Sequence, residues 1–151
     1  MRASANIVID APIETVFDFV ADPENMDRWI TGVTRPRTTS EGDFGVGSTF
    51  ASDYTYAGKT HSVGYRIVEF EPPRRTAMEW TSGPFPFEAV TELESAGEGV
   101  RVTHTIGAGP NNWAIAVWFA LFGPLLRPLM RRQLRKELRT LKELLESDGP
   151  R

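Results

Sequence analysis

The stretch Ile7-Val8-Ile9-Asp10-Ala11-Pro12-Ile13-Glu14-Thr15-Val16-Phe17-Asp18-Phe19-Val20-Ala21-Asp22-Pro23-Glu24-Asn25-Met26-Asp27-Arg28-Trp29 decides the fold. Residues 3–10 alternate loosely and read as a strand. Pro12 suits a first helical position and Glu14 the positive end of a helix dipole. Ile13, Val16, Phe17 and Val20 then recur at helical spacing. Asp22-Pro23-Glu24 restarts the pattern with an N-cap aspartate, a proline and an acidic first turn, predicting a second short helix to about Trp29. One strand followed by two short helices is a distinctive opening.

From Thr31 to Gly109 the signal is that of strands. Gly45-Val46-Gly47 precedes a strand over Ser48–Tyr56, and Ala57-Gly58-Lys59 turns it back into His61–Phe70. Glu71-Pro72-Pro73-Arg74-Arg75 reads as a loop, because consecutive prolines cannot sit inside a ladder. Thr76–Ser82, Phe85–Ser95 and Val100–Ala108 follow, separated by turns so short that they imply antiparallel hairpins. The lack of a helix between these strands argues against a parallel doubly wound sheet. Beyond them, Leu126, Met130, Leu134, Leu138, Leu141 and Leu145 form an apolar stripe, predicting a helix over Leu125–Glu146. Glu137, Glu143 and Glu146 are assigned with arginines and lysines to its other faces.

The 151 residues match one domain, 1–151, able to bury a core without a staple. With no cysteine, disulfides, thiol catalysis and cysteine-ligated zinc are out. A net charge of −3 argues against general nucleic-acid binding. The N-terminus lacks an apolar leader core and is read as unprocessed and cytoplasmic. The longest apolar run, Trp113–Leu126, is too short to span a membrane and is expected to be buried or interfacial.

This order of elements resembles the START-like or SRPBCC superfamily, whose fold is the helix-grip, and most closely its polyketide cyclase/dehydrase branch. Ile9–Phe17, Asp22-Pro23-Glu24-Asn25 with Trp29, Gly45–Phe50, Val68–Arg75, Gly97–Thr105 and Leu138-Leu141-Lys142-Leu145 carry the resemblance. It implies an α+β domain in which a curved antiparallel sheet of about six or seven strands wraps a long C-terminal helix. It also implies an internal cavity for a hydrophobic small molecule. The superfamily includes carriers, receptors and aromatase/cyclases, so the resemblance does not choose an activity.

Strand alternation sorts candidates for that cavity. Phe50 and Tyr54 share a face, as do His61, Val63 and Tyr65, Met78 and Trp80, and Val102 and His104. The expected lining is Trp29, Phe50, Tyr54, Tyr65, Met78, Trp80, Phe87, His104, Trp118 and Phe122. Asp53, Arg66 and Glu79 fall on the opposite face and are read as solvated. His61 and His104 titrate nearest neutrality and could bracket a ligand carbonyl if both pointed inward. No metal-ligand spacing exists, and neither a metal nor a cofactor is expected. Gly45-Val46-Gly47 opens a strand rather than a helix and is rejected as a phosphate cradle.

The reading favoured by these residues is binding or transport of a lipid, polyketide or isoprenoid. The alternative is a polyketide cyclase/dehydratase using His104, Tyr54 or Tyr65 for proton transfer. Arg127, Arg131, Arg135 and Arg139 make a basic stripe beside the apolar Trp113–Leu126 run, so residues 113–139 are a candidate for peripheral membrane contact. The sequence leaves the oligomeric state open.

Overall fold

A computed structural model describes the backbone of residues 2–56, 58–82, 87–108 and 113–147, and the side chains of 3–55, 58–82, 87–107 and 128–146. The opening stretch forms β1 (Arg2–Ile9) and α1 (Ile13–Val20), then a 3-10 turn (Pro23–Asn25) that continues into α2 (Met26–Trp29). Pro12 stands at the N-cap of α1 rather than inside it. The second predicted helix is thus split into two short pieces. Asp22 caps it as expected, its Oδ1 accepting the Glu24 N–H at 3.0 Å.

Six further strands follow: β2 (Val33–Thr38), β3 (Thr49–Tyr56), β4 (Lys59–Glu71), β5 (Arg75–Ser82), β6 (Phe87–Ala96) and β7 (Gly99–Ala108). All seven form one antiparallel sheet in the order β1-β7-β6-β5-β4-β3-β2. The fold is the α+β helix-grip. Register shifts between Ile67 and Glu69 on β4 and between Thr34 and Arg37 on β2 bend the ladder. The predicted Pro72-Pro73 loop is the β4–β5 turn and contains a cis peptide bond. The short turn expected between Ser82 and Phe85 lies outside the described residues.

The C-terminal helix, α3 (Trp113–Ser147), starts twelve residues earlier than the stripe predicted. It runs through Gly123, Pro124 and Pro128. Each proline removes one backbone donor without ending the helix. Leu134, Leu138, Leu141 and Leu145 are buried in one cluster with Ile9, Val16, Phe17, Leu93, Val100 and Val102. A second cluster, Met26, Val33, Phe50, Val63, Tyr65 and Ile67, fills the other half of the sheet. Outward residues behave as their parity predicts: Arg66 pairs with Glu79, Arg101 with Glu94, and Arg75 with both Glu69 and Glu92. Asp53 also faces away from the aromatics, but Arg35 and Arg37 cover it at 3.5 and 3.6 Å, leaving its side chain only 17 % exposed.

Glu137 corrects the sequence reading. It is buried at 6 % exposure rather than placed on an outer face. Its Oε2 accepts the Thr31 backbone N–H at 2.9 Å and the Gln133 Nε2–H at 3.2 Å. The carboxylate therefore ties α3 to the segment after α2, where a free backbone donor would otherwise be orphaned. Burial pushes the Glu137 carboxyl above the usual carboxylate range, against the lowering effect of those hydrogen bonds. A raised acid pKa means that the folded chain holds the proton longer than the unfolded one, so this group's contribution to stability falls as pH rises through that window. Glu137→Ala should lower unfolding free energy by about 1–3 kcal/mol, because Thr31 loses its acceptor. Glu137→Gln keeps an acceptor without the buried charge. It should match or exceed the parent, with an advantage that is larger at about pH 8 than at about pH 4 in urea unfolding.

Candidate ligand-binding site

A cavity of about 40 Å³ lies where the corner from Val20 to Ile30 faces the inner surfaces of β3 to β7. Its lining draws on both core clusters: Val20 and Trp29 come from one, Met26, Phe50 and Ile67 from the other. The cavity is the seam between them. Its volume admits a few water molecules, and two of its walls, Met26 and Met78, are flexible thioethers that repack readily.

Most of the lining is apolar; its polar groups are Thr76, Thr91, His104 and the indole of Trp29. Thr91 and His104 are direct cross-strand partners on β6 and β7. That register sets Thr91 Oγ1 2.9 Å from His104 Nδ1. The imidazole is buried, and burial holds its pKa down at about 4, so the ring is neutral at pH 7. Trp29 meets it edge-on, with ring centroids 5.3 Å apart. Trp29 is 5 % exposed, and its Nε1 is a buried donor without a partner among the described residues. An unsatisfied buried N–H costs roughly 1–3 kcal/mol, and the natural relief is an acceptor arriving from the cavity.

Of the ten residues expected to line the cavity, Trp29, Phe50, Met78 and His104 do so. Tyr54, Tyr65, Trp80 and Phe87 belong instead to the second cluster or its rim. Tyr65 stacks on Phe50 at 4.7 Å and meets Phe87 edge-on at 5.3 Å. The Tyr65 hydroxyl bonds Ser52 Oγ at 3.0 Å, and desolvation pushes its pKa up. Tyr54 lies beside Gly32, where an added Cβ would approach its ring at 3.2 Å. The aromatics thus fill one half of the concave face with themselves. Trp118 and Phe122 have side chains outside the described residues. His61 is half-buried and paired across from Tyr54 at the start of β4, and it does not line the cavity that His104 lines.

Sequence reasoning missed Ala89 and Thr91, although both share parity with Phe87 and alternation could have found them. It also missed Val20, Ala21, Met26 and Ile30, because no periodicity says how the helical corner tilts over a sheet. Among the described residues no group of histidine and carboxylate side chains could hold a metal. The glycine turn engages its own chain, the Gly45 N–H donating to Ser48 Oγ and the Gly47 N–H to the Ile67 carbonyl.

A family model described as polyketide cyclase / dehydrase and lipid transport matches residues 1–146. The chain belongs to this family. Family membership and the helix-grip architecture agree, and solved structures extend the agreement in fold. The protein TTHA0849 from Thermus thermophilus is similar at a TM-score of 0.78 and 20 % identity, covering 99 % of this chain and 100 % of that one. The di-domain ARO/CYC StfQ from the steffimycin biosynthetic pathway is similar at 0.78 and 14 % identity, over 97 % of this chain and 51 % of that one. Ara h 8.0201 is similar at 0.63 and 15 % identity, over 97 % and 98 %. No curated protein sequence matches the chain. At these identities the structural likeness concerns the fold alone.

The buried histidine predicts a pH signature. Unfolded, His104 takes up its proton near the ordinary value of about 6.5; folded, only near 4. Between those values the unfolded chain binds more protons, so stability present at neutral pH is lost as pH falls, by about 3 kcal/mol in all. His104→Gln should remove this component. Denaturant unfolding of both proteins between about pH 7 and pH 4 should show the steeper decline in the parent, and equal slopes would contradict the burial of a neutral imidazole.

Proposed function

We propose that residues 1–151 act as a single ligand-binding domain, taking up an apolar small molecule that carries a carbonyl or hydroxyl oxygen. A lipid, polyketide or isoprenoid has this character. The observation that carries the reading is the Nε1–H of Trp29, without a partner among the described residues, beside neutral His104 in a mostly apolar lining. An acceptor on the ligand would satisfy that donor, and the apolar remainder would be held by burial at roughly 25 cal/mol per Å². Uptake of a larger ligand requires the seam to widen, which the side chains of Met26 and Met78 permit.

The same groups weigh against proton-transfer catalysis. An imidazole with a pKa of about 4 is a weak base at neutral pH. The Tyr65 hydroxyl is engaged by Ser52 and made less acidic. Among the described residues no acid and base pair lines the cavity, which favours a carrier or receptor role over a cyclase.

Native mass spectrometry of freshly purified protein, with organic extraction of whatever is bound, tests this. The expected result is a co-purifying apolar compound with at least one oxygen. Trp29→Phe should bind it about 10-fold more weakly, the loss of one hydrogen bond. A clean unliganded mass that persists against panels of lipids, polyketides and isoprenoids would overturn the proposal.

A further inference from the structure

We propose that the outward face of α3 between Leu129 and Arg139 docks on an anionic lipid surface. Residues 127–139 hold six basic residues and one acid, a charge of +5 inside a chain of net −3. That acid is Glu137, which is turned inward and engaged by Thr31 and Gln133. The outward face therefore carries no compensating carboxylate over this span. Arg131, Arg132, Arg135, Lys136 and Arg139 are all exposed, and none forms a salt bridge among the described residues. By contrast, Arg66, Arg75 and Arg101 on the outer face of the sheet are each matched to glutamate. The α3 cations are left available to a partner.

Leu129 identifies the partner as a lipid surface. It is 62 % exposed, and at i, i+3 and i+7 spacing it shares a face with Arg132 and Lys136. It follows directly on the fourteen uncharged residues Trp113–Leu126 of the same helix, with only Arg127 and Pro128 between. A polyanion such as RNA, or an acidic protein, would use the cations but gain little from an exposed leucine beside them. A bilayer surface uses both, taking the leucine at the acyl boundary and the cations at the headgroups. Among the described residues no helix is long and apolar enough to cross a membrane, so the contact is a surface one.

The full chain can be sedimented with vesicles of phosphatidylcholine containing one-third phosphatidylglycerol, and with vesicles of phosphatidylcholine alone, at low and high salt. Binding should be at least 10-fold stronger to the anionic vesicles and should weaken at high salt, since the contact is screened within about 10 Å at 0.1 M. Arg132→Glu combined with Lys136→Glu and Arg139→Glu should abolish it. These positions are exposed, and circular dichroism is the check that the variant folds. Leu129→Gln, which leaves the charge unchanged, should weaken vesicle binding several-fold without altering capture by polyuridylic acid. Three results would overturn the proposal: no sedimentation with anionic vesicles at low salt, binding indifferent to charge reversal, or Leu129→Gln binding vesicles as the parent does.

Discussion

One helix covers a curved sheet over only part of its width, and the rest of this structure follows from that mismatch. Helix α3 makes its contacts with β1 and with the α2 corner. There Leu134, Leu138, Leu141 and Leu145 close one core with residues of β1, β6 and β7. Each such leucine contributes roughly 1.5–3 kcal/mol of burial, so this half of the sheet is firmly sealed. The β3–β5 half lies beyond the described reach of the stripe and fills itself with Phe50, Tyr65 and their neighbours. The two cores meet imperfectly beneath Trp29, and the cavity is what remains.

What the seam contains is chosen by β-sheet register and by one short helix. The pairing of β6 with β7 puts Thr91 opposite His104 and thereby engages one imidazole nitrogen. The three-residue spacing of Met26 and Trp29 on α2 turns both inward. The outcome is a neutral imidazole and an indole donor in a place where charge would be costly. Two of the buried ionisable groups, His104 and Glu137, therefore play opposite parts. His104 stays neutral and lines a cavity, whereas Glu137 Oε2 accepts from Thr31 and Gln133 and fastens α3 to the segment after α2.

Local signals account for what could be read from sequence. Asp22 as a cap, the Pro72-Pro73 turn, the four buried leucines and the outward Arg66–Glu79 pair all express short-range rules of capping, proline chemistry and periodicity. The failures were of a different kind. The leucine stripe marked a helix from Leu125, but α3 begins at Trp113 and passes through Pro124, because the stripe reports only the part of the helix that packs against the core. Glu137 looked solvated, because its partner lies 106 residues away in sequence. Alternation placed Tyr65 on the correct face, but a face is not a cavity: ring stacking on Phe50 and the bond to Ser52 depend on how three strands meet.

The most direct test of the central claim is the indole N–H signal of Trp29 in proton–nitrogen correlation spectra, assigned by its absence in Trp29→Phe. Acetophenone and ethylbenzene have nearly the same shape but differ in the carbonyl oxygen. If the seam is an apolar pocket with one waiting donor, both will perturb the methyl signals of Met78 and Ile67. Only acetophenone will move the Trp29 signal downfield. An indole signal that ignores acetophenone while those methyls respond would contradict the account of a donor held for a ligand.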